Sequence, residues 1–280
     1  MAEPNPEELF DQGKEILDFA VSGGGGAFRV DSLEAKKYYI QAKEYFEKAC
    51  NLNYGSGCGA LGDLYDDGKG VEKNLIKAAQ YASKACDLNN GGGCGALGFL
   101  YGSGKGVEKN LIKAAYFYAK ACDLNNGGGC GNLGVLYQKG EGVEKDLIKA
   151  TYFYSKACEL KDGLGCKDLG TLYYSGKGVE KDLIKATYFY SKACELKDGL
   201  GCKDLGTLYY SGKGVEKDLI KAAYFYSKAC ELKDGLGCGA LAMLYINGQG
   251  VEKNLTKADQ YISKACKLGD QEACEALKEK

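Results

Sequence analysis

Cys94-GALGFLYGSGKGVEKNLIKAAYFYAKACDLNNGGG-Cys130 is one period of this 280-residue chain. Both ends are the second cysteine of a Cys-x7-Cys pair, and the pairs recur every 36 residues: Cys50/Cys58, Cys86/Cys94, Cys122/Cys130, Cys158/Cys166, Cys194/Cys202, Cys230/Cys238 and Cys266/Cys274. A fixed internal period of this length marks a repeat array and overrides any domain count drawn from chain length. Within the period, Cys94, Leu97, Gly98 and Tyr101 fall at i, i+3, i+4 and i+7, the apolar stripe of a first helix (helix A). Gly104 and Gly106 break it, and Asn110 stands where a second helix (helix B) needs its N-cap, with Asp146, Asp182 and Asp218 at the same place in later periods. Helix B is expected to bury Leu111, Ala114, Phe117, Ala121 and Leu124. The glycine runs 91–93 and 127–129 read as the turn into the next unit. Each period is therefore a helical hairpin, helix A of about ten residues and helix B slightly longer, on the 3.6-residue periodicity of its apolar positions.

Small residues keep phase with large ones. Four after each pair stands Gly62, Gly98, Gly134, Gly170, Gly206 and then Ala242, and eight before each closing cysteine stands an alanine from Ala78 to Ala258. Glycine inside a helix costs roughly 1 kcal/mol against alanine, so its recurrence points to closely crossing helices. The series Tyr65 to Tyr245 and Tyr81, Phe117, Phe153, Phe189, Phe225, Tyr261 reads as the packing between them.

Counting outward predicts an N-terminal capping hairpin over 1–55, six repeats over 56–268 and a C-terminal half-repeat over 269–280. The first hairpin has helices at 7–20 and 34–50 around a glycine-rich insert, VSGGGGAFRVDS, with Asp31 and Glu34 placed as a capping box. Residues 142–186 recur unchanged as 178–222, the mark of recent duplication or of design.

Formal charge is −1, which gives no pull toward nucleic acid or anionic lipid. Histidine is absent, removing the commonest metal ligand and the commonest general base together. No stretch reaches the roughly 18 apolar residues of a membrane span. Met1-Ala2-Glu3-Pro4 has no basic-then-apolar leader. This leaves a reduced cytosolic chain or an exported one, and an even, evenly spaced cysteine set favours secretion or the periplasm. Seven intervening residues let two antiparallel helices bring each pair of thiols into bridging range. Zinc clusters use shorter Cys-x2–4-Cys spacing and four converging ligands, so no metal or other cofactor is expected. Closing each short loop removes about 2.5 kcal/mol of unfolded-state entropy, and seven supply up to about 15 kcal/mol because the terms are not independent.

The strings CGALGFLYGSGKGVEKN and YFYSKACELKDGLGC resemble the Sel1-like repeat, a relative of the tetratricopeptide repeat. The cysteines eight positions apart resemble the Helicobacter cysteine-rich proteins, over residues 34–276. The resemblance implies a right-handed α/α solenoid, exported, with disulfides tying adjacent helices. It also implies protein partners from a host or the cell envelope and, from the names of relatives, penicillin binding or β-lactam hydrolysis, hence a β-lactam or peptidoglycan-like ligand.

The residues favour the first implication. The Ser-x-x-Lys, Ser-Asp-Asn and Lys-Thr-Gly elements of serine lactamases are absent. Ser155, Ser191 and Ser227, and carboxylate pairs such as Glu159 with Asp162, recur once per repeat as surface positions do. The repeat varies most on one side of helix A: Phe99, Val135 and Gln138, then Lys167, Thr171 and Tyr174, Lys203, Thr207 and Tyr210, and Met243. In tetratricopeptide-like arrays this side lines a concave groove for extended peptides, and aromatic side chains dominate interface hot spots. Drift on an unused surface accounts for the same variation. A ladder of Tyr116, Tyr152, Tyr188 and Tyr224 on helix B is a second candidate surface, with packing between repeats as its alternative. The expected protein is a monomeric, disulfide-stapled scaffold for a protein or peptide partner.

Overall fold

A computed structural model describes residues 4–278. The Met1–Glu3 part of the leader reading and the last two residues of the expected half-repeat lie outside them. All regular elements among the described residues are helices, gathered in two compact units, Met1–Lys145 and Asp146–Lys280. The first unit holds α1 (Pro6–Val21), α2 (Gly23–Gly26), α3 (Leu33–Asn51), α4 (Gly55–Asp67), α5 (Leu75–Asp87), α6 (Gly91–Ser103), α7 (Leu111–Asp123) and α8 (Gly127–Lys139). The second holds α9 (Leu147–Glu159), α10 (Gly163–Ser175), α11 (Leu183–Glu195), α12 (Gly199–Ser211), α13 (Leu219–Glu231), α14 (Gly235–Asn247), α15 (Leu255–Lys267) and α16 (Gln271–Lys278). Even-numbered members from α4 to α14 are helix A of the repeat, and odd-numbered members from α5 to α15 are helix B. Within each unit successive helices pack on one another, except that α3 packs on α1 and not on the short α2, and the A helices of successive hairpins also touch: α4 with α6, α6 with α8, α10 with α12, α12 with α14.

Helices A and B are equally long, thirteen residues each, because the glycine runs do not form the turn. Gly91 opens helix α6, and the reversal is made one step earlier by Asn89 at φ 57°. Asn125, Lys161, Lys197 and Lys233 hold the same left-handed conformation, which asparagine tolerates better than most residues. The next residue caps helix A: the Gly93 amide donates to Asn90 Oδ1 at 2.7 Å, and the Gly165 amide to Asp162 Oδ1 at 2.6 Å. Helix B starts at its expected cap, the Lys113 amide donating to Asn110 Oδ1 at 2.9 Å.

Each Cys-x7-Cys pair forms a disulfide between the end of helix B, or of α3 in the first hairpin, and the start of the next helix. The bridges are Cys50–Cys58, Cys86–Cys94, Cys122–Cys130, Cys158–Cys166, Cys194–Cys202, Cys230–Cys238 and Cys266–Cys274, with Cα atoms 4.5–4.6 Å apart. In the first six bridges the residue before the second cysteine is glycine, which suits that closeness, and in the last it is Ala273. A Cβ on Gly93 would stand 2.4 Å from the Ala85 Cβ, and one on Gly129 would stand 2.5 Å from that of Ala121. Twelve of the cysteines are buried, while Cys266 and Cys274 are half-buried.

The glycine at the fourth position after each pair stands where helices A and B cross closely, a Cβ on Gly62, Gly170 or Gly206 lying 3.3 Å from the carbonyl oxygen of Ala78, Ala186 or Ala222. A ring presses there as well: a Cβ on Gly98 would meet Tyr118 at 2.7 Å, one on Gly170 Tyr190 at 2.9 Å, and one on Gly206 Tyr226 at 2.8 Å. These tyrosines, four before the closing cysteine, are buried, and Tyr154 is wholly so. Where the glycine becomes Ala242, the tyrosine becomes Ile262. Leu111, Phe117, Leu124 and Tyr101 are only half-buried. Tyr101 and Phe117 stack at 5.5 Å under the Lys113 ammonium, 5.0 Å from the Tyr101 centroid, and the Tyr173–Phe189 and Tyr209–Phe225 stacks repeat the arrangement.

In the first hairpin the cap of α3 is Ser32, whose hydroxyl accepts from the Ala35 amide at 3.1 Å, and not Asp31. Asp31 is occupied by the Arg29 guanidinium through two hydrogen bonds, 3.0 and 2.9 Å. The glycine insert turns at Gly24 and Gly25 with φ of 60° and 70°.

Candidate functional site

In the second unit the variable face of helix A divides into residues that hold the fold and residues that do not. Thr171 Oγ1 donates to the Lys167 carbonyl at 3.0 Å and accepts from the Tyr190 hydroxyl at 3.2 Å. Thr207 does the same for Tyr226, with its own donation to the Lys203 carbonyl at 3.0 Å and the tyrosine contact at 3.2 Å. The threonines thus supply the partner that a buried phenol needs. Burial pushes the Tyr190 hydroxyl up to about 12, so it stays protonated. Lys167 pairs with Asp168, and Lys203 with Asp204 at 2.9 Å. Tyr174 is half-buried against the cluster of Ala186, Tyr190, Leu205 and Leu208. Tyr210 is 39% exposed, and Met243 is 56% exposed on α14.

The cysteines of the same helices take no part in this face. A site residue must be reachable by a ligand, and Cys166, Cys202 and Cys238, the second cysteines on α10, α12 and α14, are 0% exposed. Each sits in the first turn of helix A, on the side turned toward helix B. Cys166 packs with Cys158 and Ala193, Cys202 with Cys194 and Ala229, and Cys238 with Cys230 and Ala265. Their spacing marks them as crosslinks, and their surroundings make them core residues as well, closed to any partner or metal.

In the first unit Phe99 is 47% exposed on α6. The Lys105 ammonium lies 5.2 Å from its ring centroid. Val135 and Gln138 on α8 are half-buried. On α4 the same side carries Asp63 and Asp66. Asp63 reaches solvent, yet it stands in a concavity crowded by protein. That desolvation, with the like charges of Asp67 and Asp66, pushes its carboxyl up to about 6.

The repeated serines and carboxylates are bound to one another or to the backbone. Ser155 donates to Glu159 at 3.3 Å, Ser191 to Glu195 at 3.2 Å and Ser227 to Glu231 at 3.2 Å, each across one helical turn. Asp162 is a helix cap.

On helix B, Tyr116 in the first unit and Tyr152, Tyr188 and Tyr224 in the second are more than half exposed. One turn before each stands an isoleucine, Ile112, Ile148, Ile184 or Ile220, that is more exposed still. Those isoleucines belong to this surface and escaped the sequence reading. The signal is present as a spacing of four between Ile and Tyr in LIKAAYFY and LIKATYFY, which puts both on one helix face.

A family model described as the Sel1 repeat matches the chain at residues 22–54, 56–90, 93–126, 129–162, 164–198, 200–234 and 236–270. The beta-lactamase HcpA of Helicobacter pylori (strain J99 / ATCC 700824) is 44% identical over 71 residues, which is 25% of this chain and 22% of that protein. The chain spans about a fifth of the length of the curated relatives it matches. Among solved structures, a Sel1 repeat protein from Oxalobacter formigenes superposes with a TM-score of 0.73 at 29% identity, covering 89% of this chain and 96% of the other. A protective antigen of uropathogenic Escherichia coli with the same repeat fold superposes at 0.71 with 25% identity, covering 97% of this chain and 58% of the other.

Proposed function

Because the chain belongs to the Sel1 repeat family, we propose that it is an exported scaffold that binds a protein or peptide partner on the A-helix side of its hairpins. The observation that carries this is the set of consensus-breaking side chains left accessible there: Phe99 in the first unit, Tyr210 and Met243 in the second. Val135, Gln138, Lys167, Tyr174 and Lys203 flank them, and Thr171 and Thr207 fix the helix beneath them. Contact between A helices of successive hairpins supports a concave surface on that side within each unit. Repeat arrays present such extended surfaces to partners. Closed disulfides, with no free cysteine among the described residues, fit an oxidising compartment. Among those residues no helix is long and apolar enough to cross a membrane. The proposal includes a monomer and the division at residues 55 and 268. The β-lactam reading draws on the names of three relatives aligned over 71, 72 and 44 residues, and the repeated serine hydroxyls are engaged by glutamates of their own helices.

The test is affinity capture from envelope and host extracts with the oxidised protein and with a variant carrying Phe99→Ala, Tyr174→Ala, Tyr210→Ala and Met243→Ala. A specific partner should be retained by the parent and lost by the variant while the variant remains folded. Equal retention by a folded variant overturns the assignment of this face.

A further inference from the structure

The first complete repeat lacks a ring that the next four repeats contain. Ala82 stands where Tyr118, Tyr190 and Tyr226 stand, four before the closing cysteine, yet the opposing residue is still glycine, Gly62. Elsewhere that glycine makes room for the phenol. Here the room is left open, as a cavity of about 500 Å3 on the α4–α6 side of the first unit. Gly62, Ala78 and Ala82 form its buried part, and Asp63, Asp66 and Phe99 its accessible part. The volume lies within the range of about 300–1,000 Å3 in which proteins hold small organic groups. Apart from Ser56 and Asn90 the wall is apolar, and the lining carries two carboxylates and no basic residue, the Lys105 ammonium standing over the Phe99 ring at its edge. The occupant that suits both is an apolar ring beside a positive charge.

Resting on the interaction reading above, we infer that this cavity is the receptor for a basic–aromatic side-chain pair of a partner peptide, the ring replacing the missing tyrosine and the cation lying against Asp63 and Asp66. The ring gains the burial that Tyr118 has in the next repeat. The cation gains two carboxylates set one turn apart at the accessible mouth of the cavity, and the attraction is strongest for a charge the ring holds close to them. Asp63 has the most to gain, since crowding by protein and then the like charges of Asp67 and Asp66 disfavour its ionised form, which Lys69 only partly offsets.

The probes are the capped dipeptides Ac-Lys-Tyr-NH2 and Ac-Gln-Tyr-NH2, titrated into the full chain and read as amide shifts at Gly62, Ala82 and Ala96. The lysine peptide should move these amides and bind at least five-fold more tightly than the glutamine peptide. Asp63→Asn should reduce that preference to less than two-fold. Ala82→Tyr, in which the chain supplies its own ring, should abolish binding and raise the melting temperature. Asp63→Asn changes an accessible side chain, so it serves even if Ala82→Tyr does not fold. Absence of shifts with the parent, equal affinity for the two peptides, or undiminished binding by a folded Ala82→Tyr protein each overturns the inference. Because the readout is confined to the cavity, a negative result leaves the interaction reading standing on Tyr210 and Met243. A positive result survives even if the captured partner ignores those two residues.

Discussion

Asp63 on α4 and Thr171 on α10 show how differently the same position of two A helices is used. The Asp63 carboxyl, at about 6 in the folded protein, titrates near 3.9 when unfolded. Between those values the folded chain holds more protons than the unfolded one, so this group adds stability as pH falls from 7 toward 4 and costs stability at neutral pH. A carboxyl-carbon titration should place its midpoint near 6, and Asp63→Asn should raise the melting temperature at neutral pH but not near pH 4; a midpoint in the ordinary aspartate range contradicts this. Thr171 is a structural acceptor. Removing its hydroxyl in Thr171→Val strands the buried Tyr190 phenol and should cost about 1–3 kcal/mol, against roughly 0.5–1.5 for Tyr190→Phe, which removes only the donor. Urea unfolding of the two variants gives the order directly, and a smaller loss for Thr171→Val would show that the bond is unimportant. The sequence marks both residues as departures from the repeat. It cannot separate them, because the partner of Thr171 lies nineteen positions away on another helix.

From the second complete repeat onward helix pairs are matched by position and partner: glycine stands with tyrosine, and alanine with isoleucine. Gly98→Ala should therefore cost about 1–3 kcal/mol by overpacking against the Tyr118 ring. Adding Tyr118→Ile, which recreates the natural Ala242–Ile262 combination, should recover most of the loss. Thermal unfolding of the single and double variants measures this coupling, and additive losses would refute the matched pair. Periodicity located the A-helix stripe correctly at Cys94, Leu97 and Gly98, since apolar spacing alone defines it, and Cys166, Cys202 and Cys238 hold the same buried place in later repeats. On helix B it placed Ala114 and Ala121 in the core but chose the wrong aromatic, because the run Tyr116-Phe117-Tyr118 offers three on three faces. The most apolar of the three, Phe117, suits a half-buried stack, whereas the tyrosine is the one that spans the buried gap beside the glycine. The glycine runs misled for a similar reason: they are small because two helices touch there, and the left-handed turn is carried by Asn89 and its equivalents.

Over the whole molecule every covalent crosslink is local, joining residues eight apart. In a reduced, unfolded chain a pair eight apart meets more easily than one 28 apart, such as Cys58 with Cys86, by about 1 kcal/mol of loop-closure entropy. Reoxidation after full reduction should therefore give mainly the seven sequential bridges, and peptide mapping that finds Cys58 joined to Cys86 as a major product would contradict it. The bridge spacing is plain in the sequence because it follows from one period. The cavity beside Ala82 is not, since it arises from a side chain that is absent and becomes visible only when Gly62 is seen across from it. The unequal burial of the sulfurs has a chemical outcome. A reductant must reach sulfur to exchange with it, and twelve of the fourteen sulfurs wait on local unfolding while the Cys266–Cys274 pair is partly open to attack. Mild thiol treatment should thus halt at a species with two more hydrogens and one freed terminal helix, α16, so that the protein loses its crosslinks in a set sequence and not all together.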